Sequence, residues 1–445
     1  MIRAKTVIRK RRNALDTSMQ LPMPDHNPSA ANHESRITNH RTPAPNHDRS
    51  KTQETPVAAF AERIVAWQRA HGRHDLPWQN TRDLYRIWLS EIMLQQTQVA
   101  AVIPYYQRFL QRFPDLRALA EATEDEVLAH WSGLGYYARG RNLHRAARLM
   151  CERHAGMFPQ EFNAVVDLPG IGRSTAAAIC VFASGARHAI LDGNVKRVLA
   201  RHLGIAGYPG DKKVQDQLWE RAQSLLPIAD VEAYTQGLMD LGAGTCTRQP
   251  RCGACPVAQD CVAHREGRTA QLPAPRPVKL LPQRETRFAM MLDGAEVLLE
   301  KRPAPGIWGG MWCFPEMQAE QLAAHAARFD VELGESTALV AIEHGFTHYR
   351  LRIHPVLMRV KRRTLALGEP GVAWIAIDAA LEYAIPAPVR RLLEQLSLME
   401  GAQYSKVAAP QLVLSALIAQ AAPGVSALVQ APAAPPAEGV APKPA

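Results

Sequence analysis

The segment Leu168–Ile179, LPGIGRSTAAAI, sets Pro169, Gly170 and Gly172 directly before a run of small residues with helical character. Without a Cβ, Gly170 and Gly172 let a chain turn tightly between two helices and bring its backbone amides close to another molecule. The first amides of a helix starting near Arg173 have no partner inside the helix and lie at its positive dipole end, so they suit a phosphate. Such a contact positions a nucleic acid without reading its sequence. A helix-helix turn in which the glycines serve only close packing is the plainer alternative. Ser174 falls in the first turn of the second helix, where its role needs the rest of the chain.

On either side of this turn the sequence is helical. VAAFAERIVAWQ, LYRIWLSEIMLQQTQVAAVIPYYQRFL and EDEVLAHWSGL carry apolar residues at helix spacing, so residues 56–265 read as an all-α region. Residues 1–55 are rich in Asn, His, Pro and Arg and have little apolar periodicity, as expected of a disordered basic arm. Beyond the helical region LPAPRPVKLLPQ punctuates a stiff connector, assigned to residues 266–285. The period then becomes two: HYRLRIHPVLMRV alternates Tyr349, Leu351 and Ile353 with Arg350, Arg352 and His354, and APVRRLLEQL restores a helix. An α+β domain over 286–399 and a disordered Ala/Pro tail over 400–445 follow.

A length of 445 residues has room for more than one domain, and a formal charge of +10 favours a polyanionic partner, although basic tails would produce the same excess. No apolar run suits a membrane span, and the opening lacks the apolar core of a secretory signal. A soluble protein of a reducing, cytoplasmic compartment is expected, with an organelle transit peptide as the other reading of the arginine-rich start. Of seven cysteines, Cys151, Cys180 and Cys313 stand apart and read as small buried residues. Cys246, Cys252, Cys255 and Cys261 form C-x5-C-x2-C-x5-C, a spacing that can converge on one metal centre. Spacing leaves the metal open, with zinc the ordinary occupant of four thiolates.

LPGIGRSTA, the later LDGNVKRVLAR and the cysteine cluster, in that order, resemble the helix-hairpin-helix (endonuclease III-like) DNA glycosylase superfamily over about residues 57–261. Lyases of that superfamily carry at the position of Ser174 a lysine whose amine attacks the sugar. Ser174 cannot, which implies a monofunctional enzyme that uses water. WLSEIMLQQTQVAAVIPYY and GLGYYARGRNL are similar to the MutY-type adenine glycosylases. This resemblance implies a [4Fe–4S] cluster on the four cysteines at 246–261, in a loop one residue shorter than usual between the first two. Arg248 and Arg251 on that loop are then expected to touch the DNA backbone.

Excision of a purine needs an acid for the leaving base and an anion facing the oxocarbenium-like sugar. Glu91, among Trp88, Leu89, Ile92 and Met93, suits the acid, since an apolar pocket raises a carboxyl pKa. Asp192, before a helix, suits the anion, held ionised by the helix N-terminus. Outside these motifs the two would read as a surface glutamate and an N-cap. The resemblance adds Asn194, orienting water and aspartate. It also places Gln96 and Tyr136 in the DNA stack beside the lesion, Gln79 in the adenine pocket and Leu94 on the damaged-base side. A base in a duplex must be extruded before it reacts, and the gap needs such support.

EVLLEKRPAPGIWGGMWCFPE resembles the start of a Nudix (MutT-like) domain, but the glutamate-rich metal helix of the hydrolases is missing from AEQLAAHAARFDVELGE. In the MutY-type family this domain recognises 8-oxoguanine through a Phe-Ser-His triplet, matched here by Phe346, Thr347 and His348, with the threonine keeping the hydroxyl. The expectation is therefore a monomeric, multidomain base-excision repair enzyme. It would bind double-stranded DNA and remove adenine opposite 8-oxoguanine or guanine, leaving an abasic site. A glycosylase/lyase for oxidised pyrimidines, a non-catalytic iron–sulfur DNA-binding protein and a Nudix hydrolase are its rivals.

Overall fold

The computed structural model describes residues 56–278, 280–304, 306–318, 326–363 and 369–404. The arm expected at 1–55 and the tail from 405 onward lie outside the described residues.

The helical portion runs α1 (Pro56–His71), α2 (Leu84–Leu94), α3 (Val99–Arg112), α4 (Leu116–Glu121), α5 (Glu124–Trp131), α6 (Ala138–Arg153), α7 (Phe162–Val166) and α8 (Arg173–Ser184). It continues through α9 (Gly193–His202), α10 (Lys212–Ser224), α11 (Val231–Asp240) and α12 (Val262–Arg265). The small residues of α8 explain its place: Ala176, Ile179 and Cys180 face a core containing Trp88 and Trp131, while Ala177, Ala178 and Val181 face a second containing Ile64, Leu199 and Leu238. Short side chains let one helix pass between two close-packed layers.

Two helical positions depart from the sequence reading. The long apolar run after Leu84 is interrupted at Gln95–Gln98, where Gln96 takes a left-handed φ of 58° although no glycine or proline marks the break. Cys151 is half-buried in a shallow groove with Arg117 and Arg148, unlike the buried Cys180 and Cys313, because α6 turns that face toward α4 at the surface.

The sheet portion comprises β1 (Gln283–Asp293), β2 (Glu296–Lys301), β3 (Trp312–Cys313), β4 (Glu316–Met317), β5 (Val331–Ala338), β6 (Ile342–Gly345), β7 (Arg350–Arg363) and β8 (Val372–Ala376), followed by α13 (Ile377–Ala380) and α14 (Ala387–Tyr404). Strand order is β3-β2-β1-β7-β5, with β4 beside β1, β6 beside β7 and β8 beside β2. β1 and β7 pair in parallel from Gln283 with Arg350 to Leu292 with Arg359. The alternation on β7 puts Leu351, Ile353 and Leu357 under Leu392, Leu393 and Leu396 of α14, and Val356, Met358 and Val360 on the opposite face. The last helix carries past the expected boundary at 399 to Tyr404, since no proline stops it before Pro410.

Helical and sheet portions belong to one packed unit. Leu128 is fully buried in the sheet core, with Ala129 and Tyr137 against it. The Ser132 hydroxyl donates to the Ile385 carbonyl at 2.7 Å, and the Arg141 guanidinium to that of Gly309 at 2.7 Å. Among the described residues no helix is long and apolar enough to cross a membrane.

Candidate active site and DNA-facing loops

A cavity of about 510 Å³, large enough for a purine, opens between α2, the 73–81 loop and α11. Glu91 and Leu94 line it from α2, Gln79 and His74 from the loop, and Gln236 and Met239 from α11. Asp83 caps α2 by accepting from the amides of Tyr85 and Arg86, and the buried Trp88, Leu89, Ile92 and Met93 fix the helix's rotation. That rotation leaves Glu91 half-buried and turned to the cavity. Loss of hydration, with the Asp192 charge as a smaller contribution, lifts Glu91 to about 8, so it is protonated at neutral pH. Leu94, expected on the damaged-base side, shares the wall with Glu91 because three residues on a helix bring both to one face. Gln79 also lines the cavity, with its amide engaged by the Leu76 amide at 3.1 Å and the Arg73 carbonyl at 3.0 Å.

Asp192 caps α9, accepting from the Val195 amide at 2.8 Å. Its helix-end amides and Arg197 pull its pKa down, as the sequence suggests, yet burial pulls harder and the net direction is upward. A charge on Asp192 adds to the rise of Glu91. Arg197, which the sequence reading missed, donates to Asn194 Oδ1 at 2.8 Å and to the Gly242 and Cys246 carbonyls at 2.7 Å each. Its signal was the spacing of three from Asn194 on one helix. Ser174 accepts from the Leu191 amide at 3.0 Å, one residue before Asp192, so its hydroxyl is committed to holding that backbone.

Around the glycine turn the two glycines differ. Gly170 has φ of 81°, and a Cβ there would lie 2.8 Å from Asn142 Cβ, so backbone and packing both demand glycine. Gly172 caps α8 in an ordinary extended conformation and meets nothing within 4 Å. The protein itself does not require glycine there.

Gln96 and Tyr136 sit on neighbouring loops, both exposed and both in left-handed backbone, at φ 58° and 48°. Arg139 bonds to both loops and was also missed. Arg248 is exposed; Arg251 is exposed and donates to the Gly244 carbonyl at 2.9 Å. Cys246, Cys252, Cys255 and Cys261 line one small cavity with Arg201, whose guanidinium lies 3.3 Å from Cys246 Sγ. Burial lifts the Cys255 thiol to about 11, with the other three cysteines adding to it. Among the described residues no set of three or more metal-binding side chains closes on a single ion. Four thiols around a shared cavity are a donor set that suits either a zinc ion or an iron–sulfur cluster.

In the sheet portion, Phe346, Thr347 and His348 form the turn between β6 and β7, closed by the Phe346 amide donating to the Tyr349 carbonyl at 2.9 Å. Phe346 stacks on Tyr349 with ring centroids 4.6 Å apart, while Thr347 and His348 are exposed.

Residues 89–224 match the HhH-GPD superfamily of base excision DNA repair proteins, and residues 287–395 match the NUDIX domain. Together with Glu91 in the wall of a purine-sized cavity, whose lining residues do not include Asp192, these matches define a base-excision DNA glycosylase with an appended Nudix-like domain. The adenine DNA glycosylase of Buchnera aphidicola from Acyrthosiphon pisum is 36% identical over 338 residues, 75% of this chain and 97% of that protein. The adenine DNA glycosylase of Homo sapiens is 32% identical over 425 residues, 80% of this chain and 78% of that protein. The chain belongs to the adenine DNA glycosylase family. Among solved structures, a thermostable thymine-DNA glycosylase aligns with a TM-score of 0.44 at 30% identity, covering 47% of this chain and 97% of that one.

Proposed function

We propose that this adenine glycosylase acts on adenine opposite 8-oxoguanine or guanine in double-stranded DNA, as a monofunctional, monomeric, cytoplasmic enzyme. What supports the chemistry is the place of Glu91 in the cavity wall, where burial first and the Asp192 charge second push its carboxyl up to about 8. Glu91 gives its proton to N7 of an adenine in the cavity, and the glycosidic bond breaks with its electron pair leaving on the base. The Asp192 carboxylate faces the resulting cationic sugar. A water oriented by Asn194 adds to C1′, and its proton returns to Glu91. Ser174 offers no amine, so no Schiff base forms and the strand stays intact.

Gly170 and Gly172 seat a backbone phosphate on the α8 amides, with Arg248 and Arg251 adding charge contacts. Gln96 and Tyr136 fill the stack left by the extruded nucleotide, with Gln79 and Leu94 lining its pocket. Phe346, Thr347 and His348 read the opposite 8-oxoguanine: the aromatic ring supports stacking, and the exposed polar tips supply hydrogen bonds. The four cysteines hold a [4Fe–4S] cluster, which when bound ties the 246–261 loop together.

Duplexes carrying A opposite 8-oxoguanine, A opposite T, or thymine glycol, treated with enzyme and then alkali, test this reading. Alkali-dependent cutting of the adenine strand in the first duplex is expected. Cutting without alkali, or at thymine glycol, refutes it.

A further inference from the structure

Arg139, on the first turn of α6, is 8% exposed and has no carboxylate among its partners in the described residues. Its two terminal nitrogens are spent on five backbone carbonyls and one hydroxyl instead. One terminal nitrogen donates to the carbonyls of Ile92 at 2.9 Å, Met93 at 2.8 Å and Gln95 at 2.6 Å. The other donates to Thr97 Oγ1 at 3.1 Å and to the carbonyls of Leu134 and Gly135 at 3.2 Å each. The group also lies 5.6 Å from the centroid of the Tyr136 ring. A buried cation is costly, and a planar fork is the geometry that bridges several acceptors at once.

The acceptors fall into two sets. Ile92 to Thr97 close the end of α2 and form the loop carrying Gln96, while Leu134 and Gly135 precede Tyr136. Gln96 and Tyr136 are both held in left-handed backbone, which residues with a Cβ adopt only under constraint from their surroundings. The carbonyls of Ile92 and Met93 belong to the helix that carries Glu91, and its C-terminal dipole end favours a cation.

We propose that Arg139 is a positioning residue for base extrusion, locking the Gln96 and Tyr136 loops in one register so that both side chains enter the duplex together while Glu91 stays aligned with the cavity. This rests on the reading of those two loops as DNA-entering. An arginine serving only fold stability would lose melting temperature and binding together; a positioning role separates extrusion from both.

The test follows 2-aminopurine, set in place of the target adenine opposite 8-oxoguanine, whose fluorescence rises on unstacking. Polarisation of a labelled duplex reports binding, thermal melting reports folding, and single-turnover cleavage is measured on adenine. Arg139→Lys keeps the charge without the fork. It is expected to retain duplex affinity while slowing the fluorescence rise and cleavage roughly 10²-fold, with most of the loss recovered on an adenine opposite an abasic site, where unpairing is already done. Thr97→Val removes one acceptor at a half-buried loop position and is expected to slow extrusion about tenfold with unchanged melting. It carries the test if the lysine variant does not fold. A folded Arg139→Lys that extrudes at the wild-type rate overturns the inference, as does Thr97→Val at the wild-type rate. Wild-type protein that neither unstacks the probe nor cleaves adenine refutes the functional reading instead.

Discussion

Glu91→Gln is expected to make the folded protein more stable, by an amount that grows with pH. Burial and the Asp192 charge move this carboxyl from its ordinary 4.5 to about 8, so between those values the native state holds a proton that the unfolded chain has released. Through this group stability falls as pH rises across that window, and the cost is constant above it. Glutamine never ionises and escapes the cost. At 1.36 kcal/mol per unit, the substitution gains nothing near pH 4.5, roughly 3 kcal/mol at pH 7 and roughly 5 kcal/mol above pH 8. These are upper bounds, because the amide still needs hydrogen-bond partners in the cavity. Urea unfolding of both proteins at pH 5, 7 and 8.5, followed by tryptophan fluorescence, measures the difference, while single-turnover assays show cleavage abolished in the variant. A difference independent of pH, or a variant less stable at pH 8.5, means that Glu91 is ionised in the native protein and removes it as the acid.

The other predictions use neighbouring features. Asp192→Asn removes the charge that adds to the shift of Glu91, so the Glu91 titration followed by carbon NMR moves to lower pH and excision is lost; an unmoved titration uncouples the pair. Gly170→Ala forces a Cβ to 2.8 Å from Asn142 Cβ at a left-handed φ and is expected to cost about 1–2 kcal/mol of stability. Gly172→Ala meets nothing in the protein and is expected to leave melting unchanged while weakening duplex binding, as measured by polarisation; unchanged affinity argues against a phosphate seated there. Purified protein is expected to contain iron and acid-labile sulfide, with Cys255→Ala losing both and the visible absorption. Zinc in their place refutes the cluster.

The sequence was most informative where local chemistry and tertiary role coincide. LPGIGRSTAAAI encodes its turn because Gly170 must be left-handed, and its helix because alanines are what two flanking cores leave room for. The alternation around Ile353 encodes a strand because one face is buried. What stayed hidden depends on partners distant in the chain. QQTQ has no helix breaker, and the break at Gln96 comes with the Arg139 guanidinium taking the carbonyls that would continue α2. Asp192 looked like an N-cap favouring its anion, and it is one, but burial outweighs the helix end, and a local motif does not reveal how deeply its carboxyl is buried. Leu94 showed its side of the pocket only once the helix rotation was set.

The seam formed by Leu128, Ala129, Tyr137 and the Ser132–Ile385 hydrogen bond has a practical consequence. Severing the chain at the connector does not yield a tidy catalytic half: it bares apolar side chains that the sheet had covered and unmoors the segment leading to Tyr136. Truncated protein is then expected to be sticky and slow for reasons unrelated to losing lesion contacts, so the fairer way to silence the second domain is to change its turn and leave the seam intact.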